Sequence, residues 1–187
     1  GWKDLLVVRF GSSLLFRNKK DGTFEDISQQ VQWPKPRNAV AAVAFDADRD
    51  GLLDLYIGSY FPDVDLTNVK HTKLLHDSWE TARNGGTNFF LKNAGSCRFV
   101  DETAKAGLGD TGWTLAIGTG DLDKDGRPDI YVANDFGTDK IYRNMGDGAF
   151  TDVSEKAIGI DTKKSMNAEL GDYDNDGWLD IFMTDYQ

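Results

Sequence analysis

Histidine and cysteine are nearly absent from this chain, with two of the former and one of the latter among 187 residues. The lone Cys97 excludes a disulfide within the chain, and His71 and His76, five apart, cannot build a His-rich metal cluster. Cationic side chains are also short in supply: 21 Lys and Arg stand against 31 Asp and Glu, a net charge of −10. That balance disfavours nucleic acid and anionic lipid as partners. No apolar run approaches the ~18 residues of a membrane-spanning helix, and no signal peptide is visible. Neither a nucleophile motif nor a phosphate-cradling glycine loop occurs.

What the chain has instead is aspartate in a pattern. DADRDGLLD (46–54), DLDKDGRPD (121–129) and DYDNDGWLD (172–180) each place carboxylates at loop positions 1, 3, 5 and 9 and glycine at position 6. Calcium takes six to eight oxygens at about 2.3–2.6 Å, and glycine permits the turn that brings successive ligands onto one ion. The expected ligands are Asp46, Asp48, Asp50 and Asp54, then Asp121, Asp123, Asp125 and Asp129, then Asp172, Asp174, Asp176 and Asp180. The position-7 carbonyls of Leu52, Arg127 and Trp178 complete the three sets, giving three expected Ca2+ sites. Carboxylates packed this closely repel one another without a counter-ion. Three calcium ions would bring the net charge from −10 to about −4, so much of the acidity belongs to the loops.

An EF-hand also opens D-x-D-x-D-G, but it needs a bidentate Glu at position 12 and flanking helices. Position 12 here is Ile57, Val132 and Met183. AVAAVAF precedes the first loop, and LYIGSY, IYVAND and IFMTDY follow the three in turn; these runs read as strands with the loop as a hairpin corner.

Aligning the ninth positions gives Asp4, Asp54, Asp129 and Asp180, with spacings of 50, 75 and 51 residues. On this alignment the chain opens inside a further copy of the loop, and the expectation is an excerpt of a larger protein. A second signature travels with the first, in LLFRNKKDGTFEDIS, FFLKNAGSCRFVDET and KIYRNMGDGAFTDVS, aligning Asn18, Asn93 and Asn144, then Phe24, Phe99 and Phe150, then Asp26, Asp101 and Asp152. One repeat thus holds about four short strands. A period of 40–50 residues with four strands predicts an all-β fold of propeller blades, about three and a half of them here. The expected units are a partial blade over 1–38, a blade over 39–112 carrying an insertion at about 60–86, a blade over 113–164 and a partial blade over 165–187. Within the insertion, VKHTKLLHDSWETARN is a candidate helix with Leu74, Leu75 and Trp79 on a partial apolar stripe, and His71 and His76 read as solvated. Trp113, heading a strand, reads as core.

The D-x-D-x-D-G-x-x-D loop with its following strand, and the R-N-x-x-D-G-x-F-x-D segment, resemble the FG-GAP repeats of integrin α-subunit propellers and their bacterial relatives, the VCBS repeats. The combined pattern is similar to secreted proteins of the cartilage acidic protein and UnbV type. The resemblance implies a calcium-stabilised propeller of about seven blades, exported and used for adhesion or assembly, with the loop aspartates as metal ligands. The namesake Phe-Gly is only hinted at in Phe10-Gly11 and Phe136-Gly137, and the Gly-Ala-Pro half is absent.

Short acidic loops without a bidentate Glu suit millimolar calcium, which places the protein outside the cytoplasm. The leading functional expectation is a non-enzymatic scaffold or adhesion module. It would dock a protein partner, subunits of an envelope complex or a cell-surface glycan on its loops or its insertion, with Tyr60, Trp79 and Trp113 as candidate contacts. The alternatives are a carbohydrate-active propeller enzyme and a calcium-dependent lectin. Against catalysis, nearly every clustered carboxylate belongs to a loop repeated three times, whereas catalytic sites are singular. Asp135 is the unrepeated acidic residue to watch, and it reads first as a turn cap.

Overall fold

The computed structural model describes residues 1–34, 37–66, 74–159 and 164–185, with Arg37 placed by its backbone alone. Four curled antiparallel sheets succeed one another along the chain. β1 (Leu5–Val7), β3 (Leu14–Asn18) and β4 (Phe24–Asp26) form the first, while β2 (Phe10–Gly11) crosses to the edge of the second. The second sheet continues with β5 (Arg37–Phe45), β6 (Asp54–Phe61), β7 (Phe89–Asn93) and β8 (Phe99–Asp101). A single helical turn, α1 (Thr103–Ala106), leads to the third: β9 (Thr114–Gly120), β10 (Asp129–Asn134), β11 (Lys140–Gly146) and β12 (Ala149–Asp152), a four-strand meander. After α2 (Ser154–Ala157), β13 (Ser165–Gly171) and β14 (Asp180–Asp185) make the fourth.

The first long strands of successive sheets lie side by side, β5 against β9 and β9 against β13. This is the radial stacking of propeller blades, and it explains the near-continuous apolar runs. A central strand with a sheet packed on each face buries both sets of alternating side chains. β10 is buried throughout, and β6 over Asp54–Ser59. In β6 and β7, Tyr56 and Phe90 face the third sheet and join Phe45, Ile130, Val132, Tyr142 and Phe150. Leu55, Ile57, Phe89 and Leu91 face the first sheet and join Leu15, Ile27 and Val31. Close approach of the sheets demands small residues at defined points: a Cβ on Gly58 would stand 2.6 Å from Thr114 Cγ2.

Polar seams tie neighbouring blades. Asn88 accepts the Ser59 N–H at 2.8 Å and donates to Thr114 Oγ1 at 2.9 Å on the next blade. Fifty-one residues on, Asp139 accepts the Asn134 N–H at 2.8 Å and the Ser165 hydroxyl at 2.6 Å.

One expectation fails. Residues 74–84 of the inserted segment form bends rather than a helix, and residues 67–73, including His71, lie outside the described residues. Short polar side chains satisfy the backbone locally instead: Asp77 N–H donates to Asn84 Oδ1, Arg83 N–H to Asp77 Oδ1, and Glu80 and Thr81 N–H to Ser78 Oγ. Asp, Asn and Ser offer the chain this alternative to a helical ladder. Leu75 and Trp79 are exposed, so the stripe buries no helix face; Trp79 rests on the His76 and Phe136 rings instead. Among the described residues no helix is long and apolar enough to cross a membrane.

Candidate metal centres

Each nonapeptide is a hairpin corner closed by a strand pair: Phe45 opposite Asp54, Gly120 opposite Asp129, Gly171 opposite Asp180. Inside the corner the three loops repeat the same hydrogen bonds. The position-1 carboxylate accepts the position-5 N–H at 3.0–3.1 Å and the glycine N–H at 2.8–2.9 Å. The position-5 carboxylate accepts the position-7 N–H at 2.7–2.9 Å. The glycines sit at φ +83 to +85, in the left-handed region that glycine adopts without a Cβ penalty. Position 4 (Arg49, Lys124, Asn175) is left-handed as well, which the sequence did not disclose.

The ninth aspartate is a clamp. One oxygen accepts the position-2 N–H from Ala47, Leu122 and Tyr173 at 3.0–3.1 Å. The other accepts a backbone N–H from the following strand: Asn93 on Asp54 at 2.7 Å and Asn144 on Asp129 at 2.8 Å. The incomplete loop at the start repeats this, with Asn18 N–H on Asp4 at 2.8 Å. Asp54 and Asp129 are buried, and loss of solvation raises both carboxyls above the ordinary value against the pull of those N–H donors.

The second signature acquires its roles here. The asparagine side chains donate to the carbonyl just before position 9 (Lys3, Leu53, Pro128), and Asn144 also reaches the Ala47 carbonyl of the preceding blade at 2.8 Å. The phenylalanines are their cross-strand partners: Asn18–Phe24, Asn93–Phe99, Asn144–Phe150. The aspartates hold a hydroxyl two residues on (Ser28, Thr103, Ser154), whose oxygen accepts a strand N–H from Leu15, Phe90 and Ile141 at 2.8–2.9 Å. These hydroxyls went unremarked in the sequence, although D-x-[ST] recurs in all three copies.

Carboxylate oxygens of Asp46, Asp48 and Asp50 converge within 4.8 Å, as do those of Asp121, Asp123 and Asp129, and of Asp172, Asp174 and Asp180. The position-9 Asp54 and the position-5 Asp125 and Asp176 stand outside these tight groups. Cations lie against the carboxylates of the first two loops. Lys92 hydrogen-bonds Asp48 and stands 3.5 Å from Asp50, and Arg127 pairs with Asp125. Burial works to lower the Lys92 ammonium, but Asp48, Asp54 and Asp50 together hold it above its ordinary value. The donor set fits a hard divalent ion: oxygen alone, three carboxylates per loop, and a buried Asp48 Oδ1 with no hydrogen-bond partner. For Leu52, Arg127 and Trp178 the structure shows the backbone N–H turned to the position-5 carboxylate.

A family profile described as FG-GAP-like repeat matches residues 1–57, 81–132 and 121–183. The chain belongs to the FG-GAP-like repeat family. It is also 32% identical over 103 residues to human cartilage acidic protein 1, a match covering 52% of this chain and 15% of that protein. The chain therefore spans a small part of the length of that relative.

Tyr60, His76 and Trp79 lie between the first two matched segments and pack against residues of the second and third. The His76 ring stacks on Phe136 with centroids 3.9 Å apart and meets Trp79 at 4.5 Å, so it is not simply solvated. Trp113, 2% exposed, is core and packs on Tyr60 and Phe136. Trp79, packed against His76 and Phe136, is 56% exposed and alone among the three candidate contacts is an exposed residue. Asp135 is no surface turn cap. It is buried and accepts the Tyr60 hydroxyl, while Asp139 caps the turn through the Asn134 N–H. Cys97 is half-buried against the core beside the first sheet.

Proposed function

We propose that this chain is a calcium-dependent scaffold that works outside the cytoplasm, holding propeller blades in fixed geometry so that their loops present a docking surface to a protein partner in adhesion or complex assembly. The observation that carries the reading is repetition. Three loops bring three carboxylates each to the same corner of successive blades, held by the same backbone hydrogen bonds. At 4.8 Å and an effective dielectric of about 20, each carboxylate pair repels by roughly 3 kcal/mol. A divalent ion reverses the sign of that energy, and the loop ordered by it pins two strands of a blade. A repeated site suits a structural ion, and for that reason the reading is non-catalytic. Oxygen-only ligands on short loops without a bidentate Glu suit calcium at extracellular concentrations.

Thermal unfolding with calcium raised from a chelated baseline to about 10 mM, against magnesium at equal concentrations, tests the reading. An ion bound only to the folded state stabilises by RT ln(1 + [L]/Kd), about 2.7 kcal/mol per site at a hundredfold excess over Kd. The midpoint should climb with calcium and much less with magnesium. A melt indifferent to both ions refutes the metal-dependent scaffold.

A further inference from the structure

We propose that Asn84–Gly85, at the root of the inserted segment, is a spontaneous deamidation site that the docked segment protects, so that lifting the segment becomes a one-way event. Asn84 is the one asparagine of this chain followed by glycine. In such a pair no Cβ hinders the glycine nitrogen as it approaches the asparagine Cγ. A bond forms between Gly85 N and Asn84 Cγ, the Cγ–Nδ2 bond breaks, and Nδ2 leaves as ammonia with the proton that Gly85 N gives up. Water then opens the five-membered imide at either carbonyl, giving aspartate or isoaspartate. The fold itself demands the glycine: a Cβ on Gly85 would collide with the Gly112 carbonyl oxygen, and one on Gly86 with Ser59 and the Phe61 carbonyl. The segment therefore cannot exchange Gly85 for a bulkier residue that would slow the reaction.

Docking holds both reacting groups. Gly85 N–H donates to the Thr111 carbonyl at 3.0 Å, beside a bond from Gly86 N–H to the Tyr60 carbonyl at 3.1 Å. The Asn84 side chain ties the segment to itself and to the next blade. Its Oδ1 accepts Asp77 N–H at 3.1 Å and Trp113 Nε1–H at 3.0 Å, and its Nδ2 donates to the Leu75 carbonyl at 2.9 Å. Cyclisation needs the Gly85 nitrogen stripped of its proton and turned onto Cγ in a near-attack geometry. The bond to Thr111 opposes the first, and the bonds to Leu75, Asp77 and Trp113 oppose the second. Conversion then prevents redocking. A carboxylate at position 84 has no donor for the Leu75 carbonyl and sets two oxygens against each other. Isoaspartate also adds a methylene to the main chain just before Gly85, where the Gly112 carbonyl leaves no slack. The lifted segment uncovers the Trp113 indole and the Phe136 face on which His76 stacks.

The rate at a protected site follows the population of the opened segment. Mass spectrometry of the full chain, held at mildly alkaline pH in buffer and in concentrated urea, measures it. Asn84 should convert first among the asparagines in urea, and at least about tenfold more slowly in buffer. Trp113→Phe removes the indole donor and keeps an aromatic ring. It should speed conversion in buffer about fivefold, the effect of one lost hydrogen bond on an opening equilibrium, and leave the rate in urea unchanged. In Asn84→Asp, amide exchange at Gly85 and Gly86 should lose its protection while β6 and β10 keep theirs. Should Trp113→Phe fail to fold, the two rates of the unaltered chain and the exchange in Asn84→Asp decide. Equal rates in buffer and urea, another asparagine converting first in urea, or full protection of Gly85 and Gly86 in Asn84→Asp overturns the proposal.

Discussion

Replacing Asn144 by alanine tests whether the asparagine latch holds the blades together. Its side chain is fully buried and makes three hydrogen bonds: Nδ2 to the Ala47 carbonyl at 2.8 Å and to the Pro128 carbonyl at 3.1 Å, and Oδ1 from the Gly146 N–H at 2.9 Å. At about 1 kcal/mol net for each bond, and more where a buried partner is left without one, Asn144→Ala should cost about 3–4 kcal/mol. The other two copies calibrate the loss. Asn93 makes two such side-chain bonds, to the Leu53 carbonyl and from the Gly95 N–H, and no bond to another blade. Asn18 also makes two, at more exposed sites. Asn93→Ala should therefore cost about 2 kcal/mol and Asn18→Ala about 1 kcal/mol. For a domain of this size 1 kcal/mol moves the melting midpoint by roughly 2–4 °C, so Asn144→Ala should lower it by about 10 °C. Urea unfolding of the three variants, without metal, measures the order directly. An Asn144→Ala cost no larger than that of Asn18→Ala would refute the claim that this residue joins two blades.

Gly58→Ala should destabilise by about 1–3 kcal/mol in the same assay, because its Cβ would meet Thr114 Cγ2 at 2.6 Å and Ile117 Cδ1 at 3.0 Å across the blade seam. Trp113→Ala should cost about 3–5 kcal/mol, and Trp79→Ala under about 1 kcal/mol, since the first ring is buried and the second 56% exposed. Equal losses would contradict that burial. For pH, burial pushes the Asp152 carboxyl up, but its bonds from Ser154 and Lys140 prevail and hold it below 3.8. A depressed folded value means its stabilisation is complete above the unfolded value of about 3.8 and is lost as pH falls through the lower folded one. Asp152→Asn should therefore flatten the fall of unfolding free energy below about pH 4, and an unchanged slope would exclude that linkage.

The aspartate positions, the glycine turn and the period of the second signature were legible because they are local: ligand spacing and turn chemistry are written in consecutive residues. The reading of LYIGSY and IYVAND as strands followed from the same short-range pattern, and the repeat period carried it to the blade architecture. The inserted segment misled. Its apolar residues have helical spacing, but Asp77, Ser78 and Asn84 bind the backbone first, and nothing in the spacing weighs one against the other.

Sequence by itself determined the loops, the repeat and the all-β class, since each depends on residues within one hairpin. Tertiary structure decided the rest. Asn144 meets Ala47 across 97 residues, and Lys92 meets Asp48 across 44, because stacked blades bring one strand's edge to another's corner. The same stacking buries Asp135 under Tyr60. Which charge faces which carboxylate depends on the distance between blades, and packing sets that distance.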